Sequence, residues 1–104
     1  MKEMEAATLF GTLSNADRLK VIRILVEAGP DGMNAGQIAD RIGASPSRAS
    51  FHLAALAESE LITKERHSRS LIYAINFGRV GELVSFLLED CCSGSPVLKN
   101  CCNM

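Results

Sequence analysis

With 104 residues the chain can form one domain with a modest core, which a second copy of itself would help to stabilise. A formal net charge of −1 gives no global basic field, so contact with nucleic acid would depend on local charge. With no secretory leader, no apolar run of membrane-spanning length, no paired-carboxylate motif, no nucleophile with a base at recognisable spacing and no glycine-rich phosphate loop, the expectation is a cytoplasmic protein that is not an enzyme.

In chain order, residues 3–13 place Ala6, Leu9, Phe10 and Leu13 at the spacing of an amphipathic helix. Ser14 to Asp17 reads as a capping box that opens a second helix running to about Ala28. That helix is apolar nearly all round except for Lys20, Arg23 and Glu27, which predicts the central core helix. Gly29-Pro30-Asp31-Gly32 breaks it. Asn34 then caps a short helix whose Ala35, Ile38, Ala39 and Ile42 point inward, and Gly43 closes that helix. Gly43-Ala44 turns into a further helix, Ser45 to Leu61, with Ser45 as its cap and Pro46 at its first position. A short helix, a glycine-containing turn and a second helix make a helix-turn-helix.

In this second helix Ala49, Leu53 and Leu56 form the inward stripe, with His52 at its edge. The opposite face carries Ser47, Phe51 and Ala54, flanked by Arg48 and Ser50. Small side chains permit close approach to a DNA major groove. Hydroxyls and helix-start amides bond phosphates, arginine reads guanine, and an apolar group touches the thymine methyl. The competing reading is an ordinary amphipathic helix with Phe51 against a neighbour.

From Leu61 to Asn76 the period changes to that of a β-hairpin, with Leu61-Ile62-Thr63 and Leu71 to Ile75 as its strands. Its tip is Arg66-His67-Ser68-Arg69. It lacks Asn-Gly or Asp-Gly, so a longer and mobile loop is expected. Residues 41–70 hold Arg41, Arg48, Lys64, Arg66 and Arg69 against Glu58, Glu60 and Glu65, so basic charge gathers around the candidate recognition helix, and a basic hairpin tip suits phosphate or the minor groove. A last helix, about Gly78 to Asp90, carries Val80, Leu83, Val84, Leu87 and Leu88 as a continuous stripe. That is more apolar face than one small core needs, so the first and last helices are expected to form a homodimer; the alternative is that the last helix closes the monomer core.

Leu13-Ser14, Arg18-Leu19, Ile24-Leu25, Ile38-Ala39, Ser50-Phe51-His52-Leu53 with Leu56, and Leu61-Ile62 leading to a hairpin with Arg69 and Tyr73 together resemble the ArsR/SmtB repressors over roughly residues 5–90. The resemblance implies a mainly α fold with a β-hairpin wing, a dimeric winged helix-turn-helix that represses an operon until a metal or metalloid binds. It puts Ser47, Arg48, Ser50, Phe51 and His52 on the DNA-reading helix, beside the Ser45 cap, and Arg66 and Arg69 on the wing. The chain departs from the family at Ala16, where proline is frequent, and at Ser68, where glycine is frequent. It lacks the cysteine motif many arsenite and cadmium sensors carry before the recognition helix, and the zinc-type Asp and His ligands of the last helix. A smaller set of arsenite sensors is similar in having Cys-Cys at the end of that helix and a further cysteine downstream.

The division expected is a DNA-binding and dimerisation domain over residues 1–90 and a flexible cysteine-rich tail over 91–104. All four cysteines, Cys91, Cys92, Cys101 and Cys102, fall in that tail. In a reducing compartment such clustering favours a metal, metalloid or redox site over a disulfide framework. Ser93-Gly94-Ser95-Pro96 lets the chain turn back so that two or three sulfurs converge on one soft centre. The candidates are trivalent arsenic or antimony on three thiolates, zinc on four, or a redox disulfide. Zinc with four thiolates would be an anion beside Glu89 and Asp90, at the negative end of a helix, with Lys99 alone to offset it. Neutral arsenous acid exchanges hydroxides for thiols and leaves an uncharged adduct, so the acidic setting favours the metalloid. The same setting disfavours a reactive thiolate. Cys91 and Cys92 are best placed and Cys101 is the expected third, with Cys102 as its substitute; two sulfurs suffice for a methylated arsenic. A zinc- or redox-responsive regulator of the same fold, and a metal carrier that does not bind DNA, are the alternatives.

Overall fold

The computed structural model describes residues 1–91, with side chains through Leu88. Of the tail expected over 91–104, residues 92–104, with Cys92, Cys101 and Cys102, lie outside the described residues, as does the side chain of Cys91. No described helix is long and apolar enough to cross a membrane.

Helix α1, Glu3–Leu13, buries Ala6 and Leu9, while Phe10 stays partly exposed. The expected Ser14–Asp17 capping box does not form. Ser14 instead closes α1, its N–H bonded to the Gly11 carbonyl. Asn15, in extended backbone, caps α2, Ala16–Ala28, by accepting from the Arg18 N–H at 3.2 Å. Asp17 and the Arg18 side chain are thereby left for other partners.

Helix α2 buries Val21 and Leu25 completely, but its all-round apolar pattern overstated its enclosure. Helices α1, α3 and α4 and strand β3 cover part of its circumference, and Leu19 and Val26 remain 48% and 46% exposed.

After a 3-10 turn at Gly29–Asp31 the chain enters β1, Met33–Asn34, a strand too short to leave a periodic signal. It pairs antiparallel with β3, Met33 opposite Tyr73 and Asn34 opposite Ile72. Asn34 also caps α3, Ala35–Ile42. Its side chain accepts from the Gln37 N–H at 2.9 Å, and the Gln37 side chain accepts from the Asn34 N–H at 3.0 Å. Gly43, at φ 69°, ends α3, with the Ala44 N–H reaching the Ala39 carbonyl.

Ser45 caps α4, Pro46–Glu58, by accepting from the Arg48 N–H at 3.2 Å, and Pro46 opens it as expected. Helix α4 ends in the same kind of loop as α3, but with Glu60 at φ 66° where glycine would be unstrained. Leu61 bonds back to Leu56, and both side chains are fully buried.

Strands β2, Ile62–His67, and β3, Ser70–Ile75, complete a sheet of order β1-β3-β2. His67 faces Ser70, so the tip is a two-residue turn, Ser68-Arg69, rather than the longer loop expected. Ser68 takes the positive φ, 57°, that hairpin twist demands and that glycine or asparagine usually supplies.

Asn76 joins three elements. Its N–H bonds Leu61 O, its amide donates to Glu60 O at 2.9 Å, and its oxygen caps α5, Phe77–Ser85, through the Arg79 N–H. The last helix continues as a π-helical stretch, Phe86–Cys91. The expected stripe is divided: Leu83 is buried, together with Phe86, which lay outside that stripe, whereas Val84 and Leu87 are partly exposed.

The core lies between α1–α4 and the inner end of the sheet. The largest fully buried side chains among the described residues are Leu9, Val21, Leu25, Ile38, Leu53, Leu56 and Leu61. Each contributes roughly 1.5–3 kcal/mol by leaving water. Leu53 and Leu56 seat α4 on this core, which aims its opposite face at solvent.

Candidate nucleic-acid interface

Helix α4 carries two stripes of identical spacing. Ala49, His52, Leu53 and Leu56 are buried, and Ser47, Ser50, Phe51 and Ala54 are exposed. Ser45 is exposed at the start of the helix. The outward face thus presents hydroxyls, a methyl and one ring, with Phe51 65% exposed. Phe51 is not drawn into the core of this chain.

His52 is the exception among the residues assigned to DNA. It is 6% exposed and turned inward, where its Nδ1 accepts from Arg18 Nε at 3.0 Å and its Nε2 lies 3.5 Å from Asp17 Oδ2. With Nδ1 taken by Arg18 and Nε2 facing Asp17, the ring is turned away from the exposed stripe of α4. The i, i+3, i+4 spacing of Ala49, His52 and Leu53 already carried that signal.

Arg48 is also engaged. Its Nε pairs with Asp17 Oδ2 at 3.0 Å, though half the side chain remains exposed. Arg18 donates from Nη1 to the Thr12 carbonyl at 3.1 Å, and its guanidinium lies 5.7 Å from the Phe51 ring centre. Phe51 meets His52 edge-on, centroids 5.5 Å apart at 69°. Asp17 and Arg18, at the start of α2, therefore hold α4 in place. The sequence reading missed both. Their roles depend on a contact across 34 positions, Arg18 to His52, which no local pattern reports.

The wing sorts its charges by strand alternation. Lys64 and Arg66 share the face that further in buries Ile62 and Ile75. Glu65 and His67 occupy the other face and pair with each other at 3.2 Å. Arg66 and Arg69 are exposed, as DNA contact requires, and Lys64 joins them as a further exposed cation. No group of three or more His, Cys, Asp or Glu among the described residues could hold a metal ion.

An exposed polar-and-aromatic helix face beside a basic wing is the architecture of a DNA-binding regulator. Residues 13–65 match the model of a helix-turn-helix domain. The HTH-type transcriptional regulator YgaV of Escherichia coli (strain K12) is 30% identical over 88 residues, covering 85% of this chain and 87% of that protein. The chain belongs to the helix-turn-helix transcriptional regulators. Its fold is that of an ArsR-like transcriptional regulator from Rhodococcus sp. RHA1, at a TM-score of 0.74 and 22% identity over 93% of this chain and 89% of that one. The transcriptional repressor BigR from Xylella fastidiosa superimposes at a TM-score of 0.65, with 28% identity over 81% of this chain and 83% of that one. These proteins are transcriptional regulators. The expected winged helix-turn-helix is therefore found, with β1 as a third strand at its edge.

Proposed function

We propose that this regulator is a repressor that grips an inverted-repeat operator as a homodimer and releases it when trivalent arsenic or antimony binds the thiols of Cys91, Cys92 and Cys101, with Cys102 as substitute. The observation that carries the reading is a last helix with Val84 and Leu87 exposed along its outer side, whose backbone runs on to the first of two cysteine pairs. Pairing of these side chains, with Phe10 of α1, across a two-fold axis would remove three apolar side chains from water. It would also hold two copies of α4 about 34 Å apart, one turn of duplex. The DNA-facing residues are Ser45, Ser47, Arg48, Ser50 and Phe51, with Arg66 and Arg69 on the wing. Capture of the metalloid at the end of the seam helix changes the spacing of the two heads, and by linkage DNA weakens metalloid binding by the same factor. The acidic neighbours Glu89 and Asp90 support a neutral tri-thiolate adduct over an anionic zinc site.

The test is an operator-release titration with arsenite, methylarsenite, antimonite and zinc, in wild type and in Cys91→Ser/Cys92→Ser. The double variant is expected to bind DNA normally and to ignore arsenite. Release that persists in it excludes the site. Release by zinc alone, or by oxidant alone, moves the reading to a zinc or redox sensor. A single-subunit mass in sedimentation removes the dimer.

A further inference from the structure

We infer that Phe51 is the base-reading residue of α4, and that what it reads is the 5-methyl group of a thymine. This deepens the operator reading and depends on α4 entering the major groove.

The argument starts from what the outward stripe holds. Ser47 and Ala54 lie one turn to either side of Phe51 and Ser50 directly precedes it, so Phe51 is the one large side chain on that stripe. Small neighbours let the helix sit deep enough for a ring to reach a base edge. The helix's only arginine, Arg48, is tied to Asp17 at 3.0 Å. Asp17 is itself held near the start of α2, where the helix dipole favours a carboxylate, and is 20% exposed. An arginine already neutralised by a fixed anion is a poor reader of guanine acceptors.

The ring is also held in one place. His52 lies edge-on to it at 5.5 Å and the Arg18 guanidinium covers it at 5.7 Å. Both partners are fixed in turn, His52 by Arg18 and Arg18 by the Thr12 carbonyl. Little side-chain freedom is then lost on binding. Among the base edges in the major groove, the thymine methyl is the group an apolar ring can recognise without leaving a donor or acceptor unpaired.

The experiment begins with duplexes selected by the wild-type protein from a random library. Each thymine is then replaced, one at a time, by deoxyuridine, which removes the methyl and nothing else. Wild type is expected to lose about fourfold in affinity at one thymine per half-site, the effect of forgoing the burial of one methyl. Phe51→Ala should bind thymine and deoxyuridine duplexes equally, at the weaker level, and Phe51→Leu should keep part of the discrimination. Phe51 is largely exposed, so the alanine variant is expected to fold, which circular dichroism checks. Discrimination that persists in Phe51→Ala, or deoxyuridine without effect at every position, overturns the inference while leaving operator binding intact. Failure to select any sequence overturns the operator reading itself, and this inference with it.

Discussion

Gly32 is where the helix-turn-helix is fastened to the wing, and replacing it with alanine tests that fastening. Its backbone, φ 67° and ψ −163°, lies in a region open essentially to glycine alone. A Cβ there would also strike the Tyr73 carbonyl oxygen and come within 2.9 Å of Ile72 Cγ2. Tyr73 and Ile72 are the β3 partners of Met33 and Asn34, so relief of the clash means lifting β1 off the sheet. Asn34 would move with it, and Asn34 is the cap of α3. Backbone strain alone costs about 1–3 kcal/mol, and with the damaged pairing the total should reach at least about 3 kcal/mol. For a domain of this size that lowers the melting temperature by roughly 12–24 °C. Gly43→Ala is the control. Gly43 also has a positive φ, 69°, but a Cβ would meet nothing within 4 Å. It should cost only about 1 kcal/mol, or roughly 4–8 °C. Thermal unfolding followed by circular dichroism reads both. A Gly32→Ala loss no larger than that of Gly43→Ala would refute the claim that close approach of β1 to β3 requires this glycine.

Other outcomes follow from the same geometry. Ser68→Gly should stabilise the protein by about 1 kcal/mol, because it relieves a left-handed residue in a two-residue turn; an unchanged or lower melting temperature contradicts this. Arg18→Ala strips His52 Nδ1 of its donor and should cost about 1–3 kcal/mol, with a parallel fall in DNA affinity that a fluorescence-anisotropy titration detects. Loss of stability with unchanged DNA affinity would mean that the network holds the core but not the reading face. Arg69→Ala on the wing should weaken DNA binding about equally for all sequences and reduce the slope of log affinity against log salt by about 1 per protomer. An unchanged slope would take Arg69 away from phosphate.

Local chemistry was enough for much of this protein. The i, i+3, i+4 spacing of apolar residues set the helices, because a side chain's face on a helix follows from its position alone. The caps at Asn34 and Ser45 and the terminator Gly43 set the helix-turn-helix, since each acts within three or four residues. The exposed stripe of α4 followed from its buried one. Tertiary structure decided the rest. Whether Ser14 or Asn15 caps α2 depended on how α1 ends, and that choice left Asp17 for Arg48 and His52. Whether Leu19 and Val26 are covered depended on how much of α2 its neighbours enclose. The tight turn at Ser68 was imposed by the register of Ile62 with Ile75, which is strong enough to hold a serine where glycine would be at ease. Pairings across tens of residues, such as Arg18 with His52, exist only once the core has brought α2 and α4 together. No local rule contains them, because the chain between them carries no energetic trace of the contact.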